Sequence, residues 1–301
     1  MKIGIIGLGK MGGNIALRLL KYNHEVFVYG HHSDKINLMV DHGAMGFDNM
    51  DKLIEKVNTH EIPIVWVMIP SGEITNNVLV ELGEKLKKGS IIIDGGNSNY
   101  KDTIKTAELL KEKSINLLDI GTSGGLWGYE NGYCLMAGGE KESFDTVEPI
   151  LKDLSASGGY EYTGKSGSGH FVKMVHNGIE YGMMQAYAEG FEILKSKEDF
   201  DIDLDKVSNV WQHGSIIESF LLNLTKDMFK DDPDLNNVKG WVEDSGEGRW
   251  TVLEALENNV SAPIITLSLM QRFRSRKEET FSDKVLASLR KEFGGHSIKE
   301  K

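Results

Sequence analysis

Residues 2–12 read Lys-Ile-Gly-Ile-Ile-Gly-Leu-Gly-Lys-Met-Gly. The first part is a short apolar run rich in β-branched residues, which predicts a strand, and an amphipathic segment follows the glycines. In such a strand–turn–helix unit, Gly7 permits the tight turn, Gly9 lets the backbone approach a pyrophosphate, and Gly12 lets helix and strand pack closely. A second apolar strand at residues 25–29 supplies the context in which this glycine spacing indicates dinucleotide binding.

The second strand ends at Tyr29 and is followed by Gly30, His31, His32 and Ser33. A site restricted to NAD normally places a carboxylate here, whereas a 2′-phosphate requires arginine or other donors. The two histidines and the serine offer donors without repulsion, so NAD and NADP both remain open as cofactors. The candidate cofactor-binding residues are Gly7, Leu8, Gly9, Lys10, Met11, Gly12, His31, His32, Ser33, Ile69, Pro70 and Asn97.

Strands and helices alternate through the first half of the chain, which predicts a parallel sheet covered on both faces. Further strands are predicted at residues 64–69, 90–94, 116–120, 133–138 and 159–162, and helices at 50–57, 75–87 and 101–113. The loops after the third and fourth strands then lie at the carboxyl edge of the sheet, where ligands bind in such folds. Asn97 is therefore placed to touch nicotinamide or substrate, although an asparagine after two glycines also suits a plain turn.

After the fifth strand, residues 122–125 read Thr-Ser-Gly-Gly and offer a hydroxyl group and exposed amides that suit anionic oxygen. Beyond Gly164 the alternation stops and helical patterns dominate. They cover residues 170–195, 204–213, 216–228, 252–258, 264–276 and 282–293, with a predicted surface loop at 226–237. We therefore expect an α/β domain at residues 1–165 and an all-helical domain at 166–301.

Composition narrows the class of protein. The length of 301 residues suggests two domains. The net charge of −11 disfavours nucleic-acid or membrane partners, which are themselves anionic. With no long apolar run, no cationic leader and Cys134 as the only cysteine, we expect a cytoplasmic protein without disulfides. Cys134 is predicted to fill a buried strand, and the sequence offers no metal cluster.

Residues 164–187 begin with a glycine-rich segment and continue as a predicted helix. One stripe of that helix holds Lys173, His176, Asn177, Glu180 and Tyr181. A base, an imidazole, an amide and an acid between apolar flanks are costly unless a ligand uses them, so we predict a catalytic helix. The alternative is a solvated face, but such faces favour long flexible charged side chains.

The chain resembles the short form of the decarboxylating 6-phosphogluconate dehydrogenase family, within the β-hydroxyacid dehydrogenase superfamily. The motifs that carry the resemblance are residues 7–12, 94–98, 123–125, 167–181 and 290–296. Superfamily relatives share the lysine and asparagine of the predicted helix but lack His176, Glu180 and Tyr181 in that setting. The resemblance implies a Rossmann-type doubly wound sheet followed by a helical domain that binds substrate and forms oligomers.

The resemblance also implies the reaction, which is the oxidative decarboxylation of 6-phosphogluconate to ribulose 5-phosphate with reduction of NAD or NADP. Lys173 would take the C3 hydroxyl proton and later return a proton to the ketone, and Glu180 would protonate C1 of the enediol. The implied substrate contacts are Asn97, Ser123, Gly124, Gly125, His176, Asn177, Tyr181, Arg272, Arg290 and His296. Tyr181, Arg272, Arg290 and His296 resemble phosphate ligands, and the last two would come from a neighbouring subunit of a homodimer or homotetramer.

Elementary chemistry agrees with these roles. Oxidation at C3 makes a β-keto acid, whose carboxylate departs because the ketone accepts the electrons, so no metal is needed. A lysine must be neutral to act as the base, which requires burial or nearby charge to lower its pKa.

The chain also departs from the family pattern. Ser245 and Glu247 stand where longer members carry lysine and threonine, so the resemblance does not carry a phosphate contact over to this segment, and Arg249 is a candidate replacement. Arg274 and Arg276 are interpreted as surface charges. Trp127 and Trp211 are expected to fill core or interface.

Two other functions stay open. The first is an NAD(P)-dependent dehydrogenase of another, unphosphorylated 3-hydroxy acid, against which the cations Arg272, Arg290 and His296 argue. The second is a nicotinamide-binding sensor without catalysis, against which the set of Lys173, Asn177 and Glu180 argues.

Overall fold

A computed structural model describes residues 1–299 of the chain. Contacts between Cα atoms divide it into two compact units, residues 1–176 and the chain from Asn177 onward. The predicted domain boundary at 165/166 remains a prediction. No helix within the described residues is long and apolar enough to span a membrane.

The first unit alternates strands with helices. Its elements are β1 (Lys2–Ile6), α1 (Lys10–Lys21), β2 (Glu25–Tyr29), α2 (Ser33–Asp41), β3 (Met45–Phe47), α3 (Met50–Asn58), β4 (Ile64–Val67), α4 (Glu73–Lys85), β5 (Ile91–Asp94), α5 (Tyr100–Glu112), β6 (Asn116–Ser123), α6 (Gly128–Asn131), β7 (Tyr133–Gly139), α7 (Lys141–Leu154) and β8 (Ser155–Gly164). A single helix, α8 (Ser168–Ser196), continues from the first unit into the second.

The second unit is helical. After α8 it contains α9 (Leu204–Trp211), α10 (Phe220–Asp231), α11 (Glu247–Glu257), α12 (Pro263–Ser275) and α13 (Phe281–Gly294). Its apolar cluster is built on Phe191, Leu204, Leu222 and Phe229, with Trp211 packed against it. The predicted succession of a doubly wound sheet and a helical domain is confirmed.

The strand order of the sheet is β3-β2-β1-β4-β5-β6-β7-β8. The first six strands follow the doubly wound order, which reverses direction between β1 and β4. Strands β1 to β6 pair in parallel, as predicted, and β7 then pairs antiparallel with β6. A short connection can join antiparallel neighbours, whereas parallel neighbours need a long crossover.

Both faces of the sheet are buried because successive residues of each strand point to opposite sides. Ile5 of β1 packs in the cluster that contains Ile15 and Leu19 of α1. Its neighbour Ile6 packs in the opposite cluster with Leu53 of α3. The continuous apolar runs of the strands are therefore explained by burial from two sides.

Three helices of the first unit, α2, α6 and α7, were not predicted. In α7 the residues Phe144, Val147, Ile150 and Leu154 are all buried on one face, although Pro149 lies inside the helix. A proline in a helix interior normally argues against a helix, but here its cost is offset by the burial of that face.

Other local expectations are also corrected. Cys134 is exposed rather than buried, because it alternates with buried Tyr133 along β7. Trp127 is exposed in the single chain, which leaves an interface as the remaining part of its predicted role. Helix α10 begins at Phe220 because the Ser219 hydroxyl accepts a hydrogen bond from Leu222 N at 3.0 Å, and α10 covers the first half of the expected loop at 226–237.

The N-terminus of α8 is held by Asp119 of β6, whose side chain is fully buried. Its Oδ1 accepts a hydrogen bond from Gly167 N at 2.7 Å, and its Oδ2 accepts one from His170 N at 2.9 Å. These amides are among the groups that a helix start leaves unsatisfied, and a carboxylate there also suits the helix dipole. Asp119 therefore fixes where α8 starts relative to the sheet.

Helix α1 is held by Arg18, which is buried although it carries a permanent charge. Its guanidinium donates to the carbonyl oxygens of Tyr129 at 2.9 Å, Leu154 at 3.0 Å and Asp153 at 3.1 Å. The last two carbonyls lie at the C-terminus of α7, where partners within the helix are missing. Arg18 thus joins α1, which follows the glycine turn, to α6 and α7.

We predict that Asp119→Ala lowers the free energy of unfolding by about 3 kcal/mol, because it strands two buried N–H groups that each cost about 1–3 kcal/mol. Urea denaturation followed by circular dichroism measures the loss. Asp102→Ala is the control, because the Asp102 side chain is 50% exposed and forms an ion pair with Lys105 one helical turn away; it should shift stability by less than about 0.5 kcal/mol. Equal losses for the two variants would contradict the role of Asp119.

Candidate active site

The glycine turn after β1 has the geometry that its sequence predicts. Gly7 has a φ of +98°, and its N–H donates to the Tyr29 carbonyl at 3.0 Å. A Cβ on Gly12 would lie 1.9 Å from the Gly7 carbonyl oxygen, whereas a Cβ on Gly9 would meet nothing within 4 Å. The turn is therefore tight at its ends and open at Gly9, an arrangement that fits a diphosphate.

Other candidate cofactor residues follow strand ends at the same edge. Ile6 is in register with Tyr29 of β2 and Val67 of β4, so the three strands end together. The residues that follow or join these ends differ in burial: Leu8 is buried, Met11 and Ile69 are half-buried, and Lys10, His31, His32, Ser33 and Pro70 are exposed. The first turn of α2 starts at Ser33.

The loop that carries Asn97 is shaped by the buried carboxylate of Asp94. Its Oδ1 accepts a hydrogen bond from Gly96 N at 3.0 Å, and its Oδ2 accepts one from the Ser98 hydroxyl at 2.7 Å. Asn97 lies between these two anchors and is exposed. These two hydrogen bonds to Asp94 therefore order the loop, and Asn97 lies at the carboxyl end of β5.

Three predicted site residues of the first unit form a hydrogen-bonded series. Lys173 Nζ lies 3.4 Å from His176 Nδ1, and His176 Nε2 lies 3.2 Å from the Ser123 hydroxyl oxygen. Lys173 is 7% exposed, so its ammonium group is largely removed from water. Next to Ser123, Gly124 and Gly125 both adopt positive φ, which other residues rarely accept.

The position of Lys173 depends on glycines where α8 meets β6 and β7. A Cβ on Gly121 would lie 2.3 Å from the Cβ of Lys173. A Cβ on Gly169 would lie 2.2 Å from the Asp119 carbonyl oxygen, and one on Gly138 would lie 2.6 Å from Gly169 N. The first turns of α8 therefore rest directly on the backbone of the sheet.

The loop between β6 and β7 rests on Tyr133. A Cβ on Gly128 would lie 2.0 Å from the Tyr133 ring, so this loop also needs a glycine. Burial raises the pKa of Tyr133 to about 12. The phenol stays neutral at physiological pH and acts as part of the apolar support under the loop.

In the second unit, the α8 residues Asn177 and Tyr181 are buried and Glu180 is half-buried. Asn177 Nδ2 donates to Glu247 Oε1 at 2.7 Å. The Tyr181 hydroxyl accepts a hydrogen bond from Ser245 N at 3.2 Å.

Arg272 lies against Tyr181, as expected for two residues predicted to share a function. Its guanidinium carbon is 3.4 Å from the centroid of the Tyr181 ring, and it donates to the Glu243 carbonyl at 2.8 Å. Stacking on the ring and the bond to Glu243 fix the plane of the guanidinium.

The interpretation of Arg276 as a surface charge is wrong. Arg276 and Arg249 both donate to the buried carboxylate of Asp244, and Arg276 also donates to the Val242 carbonyl at 2.8 Å. The hydrogen bond from Arg249, followed by that from Arg276, lowers the pKa of Asp244. Both arginines therefore stabilise the segment before α11, whereas Arg274 is exposed as expected.

The predicted tail residues stay apart from this group. Arg290 lies on α13 and His296 follows it, and both are exposed. Within residues 1–299, no hydrogen bond or ion pair joins either of them to Tyr181 or Arg272.

Asp94, Asp119 and Glu247 were not predicted as part of the site. For the two aspartates, a signal existed in the sequence, because each is a carboxylate inside a buried strand and such a group needs partners. For Glu247, the contact with Asn177 joins residues far apart in the chain, which no local pattern reveals. No group of three or more His, Cys, Asp and Glu side chains within the described residues could hold a metal ion.

The fold is one that dehydrogenases adopt. The 3-hydroxyisobutyrate dehydrogenase structure from Salmonella typhimurium has a TM-score of 0.75 at 19% identity, over 91% of this chain and 93% of that one. At that identity, the likeness shows the fold alone.

Sequence comparison is more specific. Residues 2–165 match the NAD binding domain of 6-phosphogluconate dehydrogenase, and residues 169–298 match the 6-phosphogluconate dehydrogenase C-terminal domain. The chain belongs to the 6-phosphogluconate dehydrogenase family.

Individual relatives cover the chain from end to end. The Bacillus subtilis protein YqeC is 46% identical over the full length of both chains. The NAD(+)-dependent, decarboxylating 6-phosphogluconate dehydrogenase of Haloferax volcanii is 39% identical, over 100% of this chain and 99% of its own. The 6-phosphogluconate dehydrogenase structure from Plasmodium falciparum is 30% identical, with a TM-score of 0.83 over 100% of this chain and 66% of that longer one.

Proposed function

We propose that this protein catalyses the oxidative decarboxylation of 6-phosphogluconate to ribulose 5-phosphate and carbon dioxide, with reduction of NAD or NADP. The observation that carries the proposal is the buried Lys173 on α8, joined through His176 to Ser123. Membership of the family and the Haloferax volcanii relative of matching length support the same reaction.

Lys173 acts first as the general base in this proposal. Its Nζ accepts the proton of the C3 hydroxyl as that carbon is oxidised, which stabilises the developing ketone. A bound nicotinamide supplies the hydride acceptor. The fixed start of α8 holds the lysine in position before the substrate arrives, so little ordering is left for the reaction itself.

The direction of the hydrogen bonds made by His176 can reverse when Lys173 gains or loses its proton. An ammonium group only donates, so a charged Lys173 requires an unprotonated Nδ1, and the Nε2 proton of a neutral His176 then points to Ser123. A neutral Lys173 can accept from Nδ1–H, and Ser123 then donates to Nε2. The series Ser123–His176–Lys173 therefore gives the lysine a hydrogen-bond partner in both protonation states.

Decarboxylation follows from the ketone at C3. Electrons of the bond between C1 and C2 move toward the ketone, Lys173 returns its proton to the ketone oxygen, and carbon dioxide leaves. Glu180 then protonates the carbon that becomes C1 of ribulose 5-phosphate, while Lys173 takes back the enol proton. The half-buried position of Glu180, seven residues beyond Lys173 on the same helix, supports this role.

The residues around the glycine turn are the proposed cofactor site. The open backbone at Gly9 would receive the diphosphate, and Asn97 would contact the nicotinamide or the substrate. Exposed His31, His32 and Ser33 offer donors without a carboxylate, which supports the use of both NAD and NADP.

Tyr181 and Arg272 are the proposed ligands of the substrate phosphate within one chain. Their contact and the fixed guanidinium plane suit a terminal phosphate. Arg290 and His296 are proposed to complete the site of a neighbouring subunit in a homodimer or homotetramer. The apolar side chains Phe281, Leu286, Leu289 and Phe293 of α13 are all exposed in the single chain, which supports burial of this helix in an assembly. The cytoplasmic location likewise remains a prediction.

We predict that the purified protein releases carbon dioxide and reduces both NAD and NADP when 6-phosphogluconate is added. Rates measured side by side give the cofactor preference, which we expect to be mild. Gluconate is the matched control and should react far more slowly, because the arginine contact needs a phosphate. Absence of turnover with either cofactor would overturn the proposed function, and equal rates with gluconate would favour the alternative of an unphosphorylated 3-hydroxy acid.

We predict that Lys173→Met lowers kcat by about 10²–10⁴-fold, the range expected for loss of a general base. Binding of 6-phosphogluconate, measured by calorimetry, should persist because other residues hold the substrate. Lys105→Met is the control, since this lysine is exposed and forms an ion pair with Asp102 one helical turn away. A Lys173→Met variant with the wild-type rate would show that another group is the base.

We predict that co-expression of Lys173→Met with Arg290→Ala restores activity that neither variant has alone. In a hybrid dimer, one site combines the intact lysine of one subunit with the intact arginine of the other, so equal mixing returns about one quarter of wild-type activity. Activity of the purified hybrids and their mass by light scattering measure this. If Arg290 serves its own subunit, no recovery occurs.

A further inference from the structure

Glu247 is a buried carboxylate whose hydrogen-bond donors within the described residues are neutral. Its side chain is 2% exposed, and it is the first residue of α11. It accepts hydrogen bonds from Asn177 Nδ2 at 2.7 Å and from the Ser245 hydroxyl. No ion pair to Glu247 occurs within residues 1–299, so these donors and the N-terminus of α11 compensate its burial.

The two helices that meet here are held close together by glycines. A Cβ on Gly178 of α8 would lie 2.6 Å from Thr251 of α11, and a Cβ on Gly248 would lie 2.4 Å from the ring of Tyr181. The distance between Asn177 and Glu247 is therefore set by backbone packing as well as by the hydrogen bond.

Glu247 determines which way round the Asn177 amide lies. An ionised carboxylate can only accept hydrogen bonds, so the NH₂ group of the amide must face it. The carbonyl oxygen Oδ1 of Asn177 is then directed to the opposite side. Without the carboxylate, the two orientations of an asparagine amide are nearly equivalent in shape.

We propose that Glu247 is a positioning residue that presents Asn177 Oδ1, an acceptor, to a hydroxyl group of the substrate. This inference rests on the proposed function and refines it. An acceptor binds a sugar hydroxyl and repels a carboxylate, so Asn177 is assigned to a hydroxyl of the sugar acid and not to its carboxylate.

The same geometry excludes phosphate binding at this segment. Glu247 would repel a phosphate dianion, and the single proton of the Ser245 hydroxyl is already donated to Glu247. Residues 245–247 are therefore assigned to the orientation of Asn177 and not to phosphate binding.

The test is a double-mutant cycle with Glu247→Gln and Asn177→Ala. Glu247→Gln keeps the size of the side chain but allows either amide orientation, so kcat/KM for 6-phosphogluconate should fall about 10- to 100-fold, as for a lost hydrogen bond to a charged group. KM for NAD should stay within about twofold. In the Asn177→Ala background, Glu247→Gln should change kcat/KM by less than about twofold, because its effect acts through Asn177.

Matched controls separate the outcomes. Glu192→Gln makes the same change at an exposed position of α8 and should leave kcat/KM unchanged. An unchanged kcat/KM for Glu247→Gln, or penalties that multiply in the double variant, overturns the role of Glu247. If Glu247→Gln does not fold, Glu247→Asp, which keeps the carboxylate but draws it back by one methylene from Asn177, should lower kcat/KM in the wild-type background and leave it unchanged in the Asn177→Ala background. Absence of turnover in both the wild-type protein and Glu192→Gln overturns the proposed function and this role with it.

Discussion

The carboxylate of Asp119 at the N-terminus of α8 is the contact on which the candidate site depends most. It accepts from Gly167 N and His170 N, so one side chain of the sheet satisfies two amides of the helix start. The glycines at 121, 138 and 169 then let the helix rest on the strands without side chains between them. Together, these features place Lys173 beside β6, within reach of the series that ends at Ser123.

Three buried carboxylates in this protein act in the same physical way, because each orders a neighbouring part of the site. Asp94 orders the Asn97 loop, Asp119 orders the start of α8, and Glu247 orders the Asn177 amide. Within the described residues, none of the three forms an ion pair, and each is compensated by neutral N–H or O–H donors. Such donors have fixed directions, so each acid determines the geometry of its neighbours as well as satisfying its own charge.

The sequence predicted most of the first unit because its strands are continuous apolar runs, and β1, β2 and β5 begin or end within a residue of expectation. It also identified the helix stripe from Lys173 to Tyr181, since 3.6-residue periodicity is a local signal.

Helix α7 was missed although its buried face is regular, because Pro149 argues against a helix. The contact between Asn177 and Glu247 could not be predicted from the sequence, because it depends on how α8 and α11 pack. The exposure of Cys134 depends on which side of β7 meets solvent, which the apolar run does not reveal.

Because α8 is one unbroken helix from Ser168 to Ser196, the angular spacing of its functional groups is set by the helix itself. Each residue advances the helix by about 100°, so Lys173, Asn177 and Glu180 share a face only at their present separations. Inserting or deleting a single residue between the base and the acid would turn one of them away by more than a quarter revolution. A one-residue insertion or deletion in this segment would therefore break the shared face, whereas a substitution would leave the angular spacing intact.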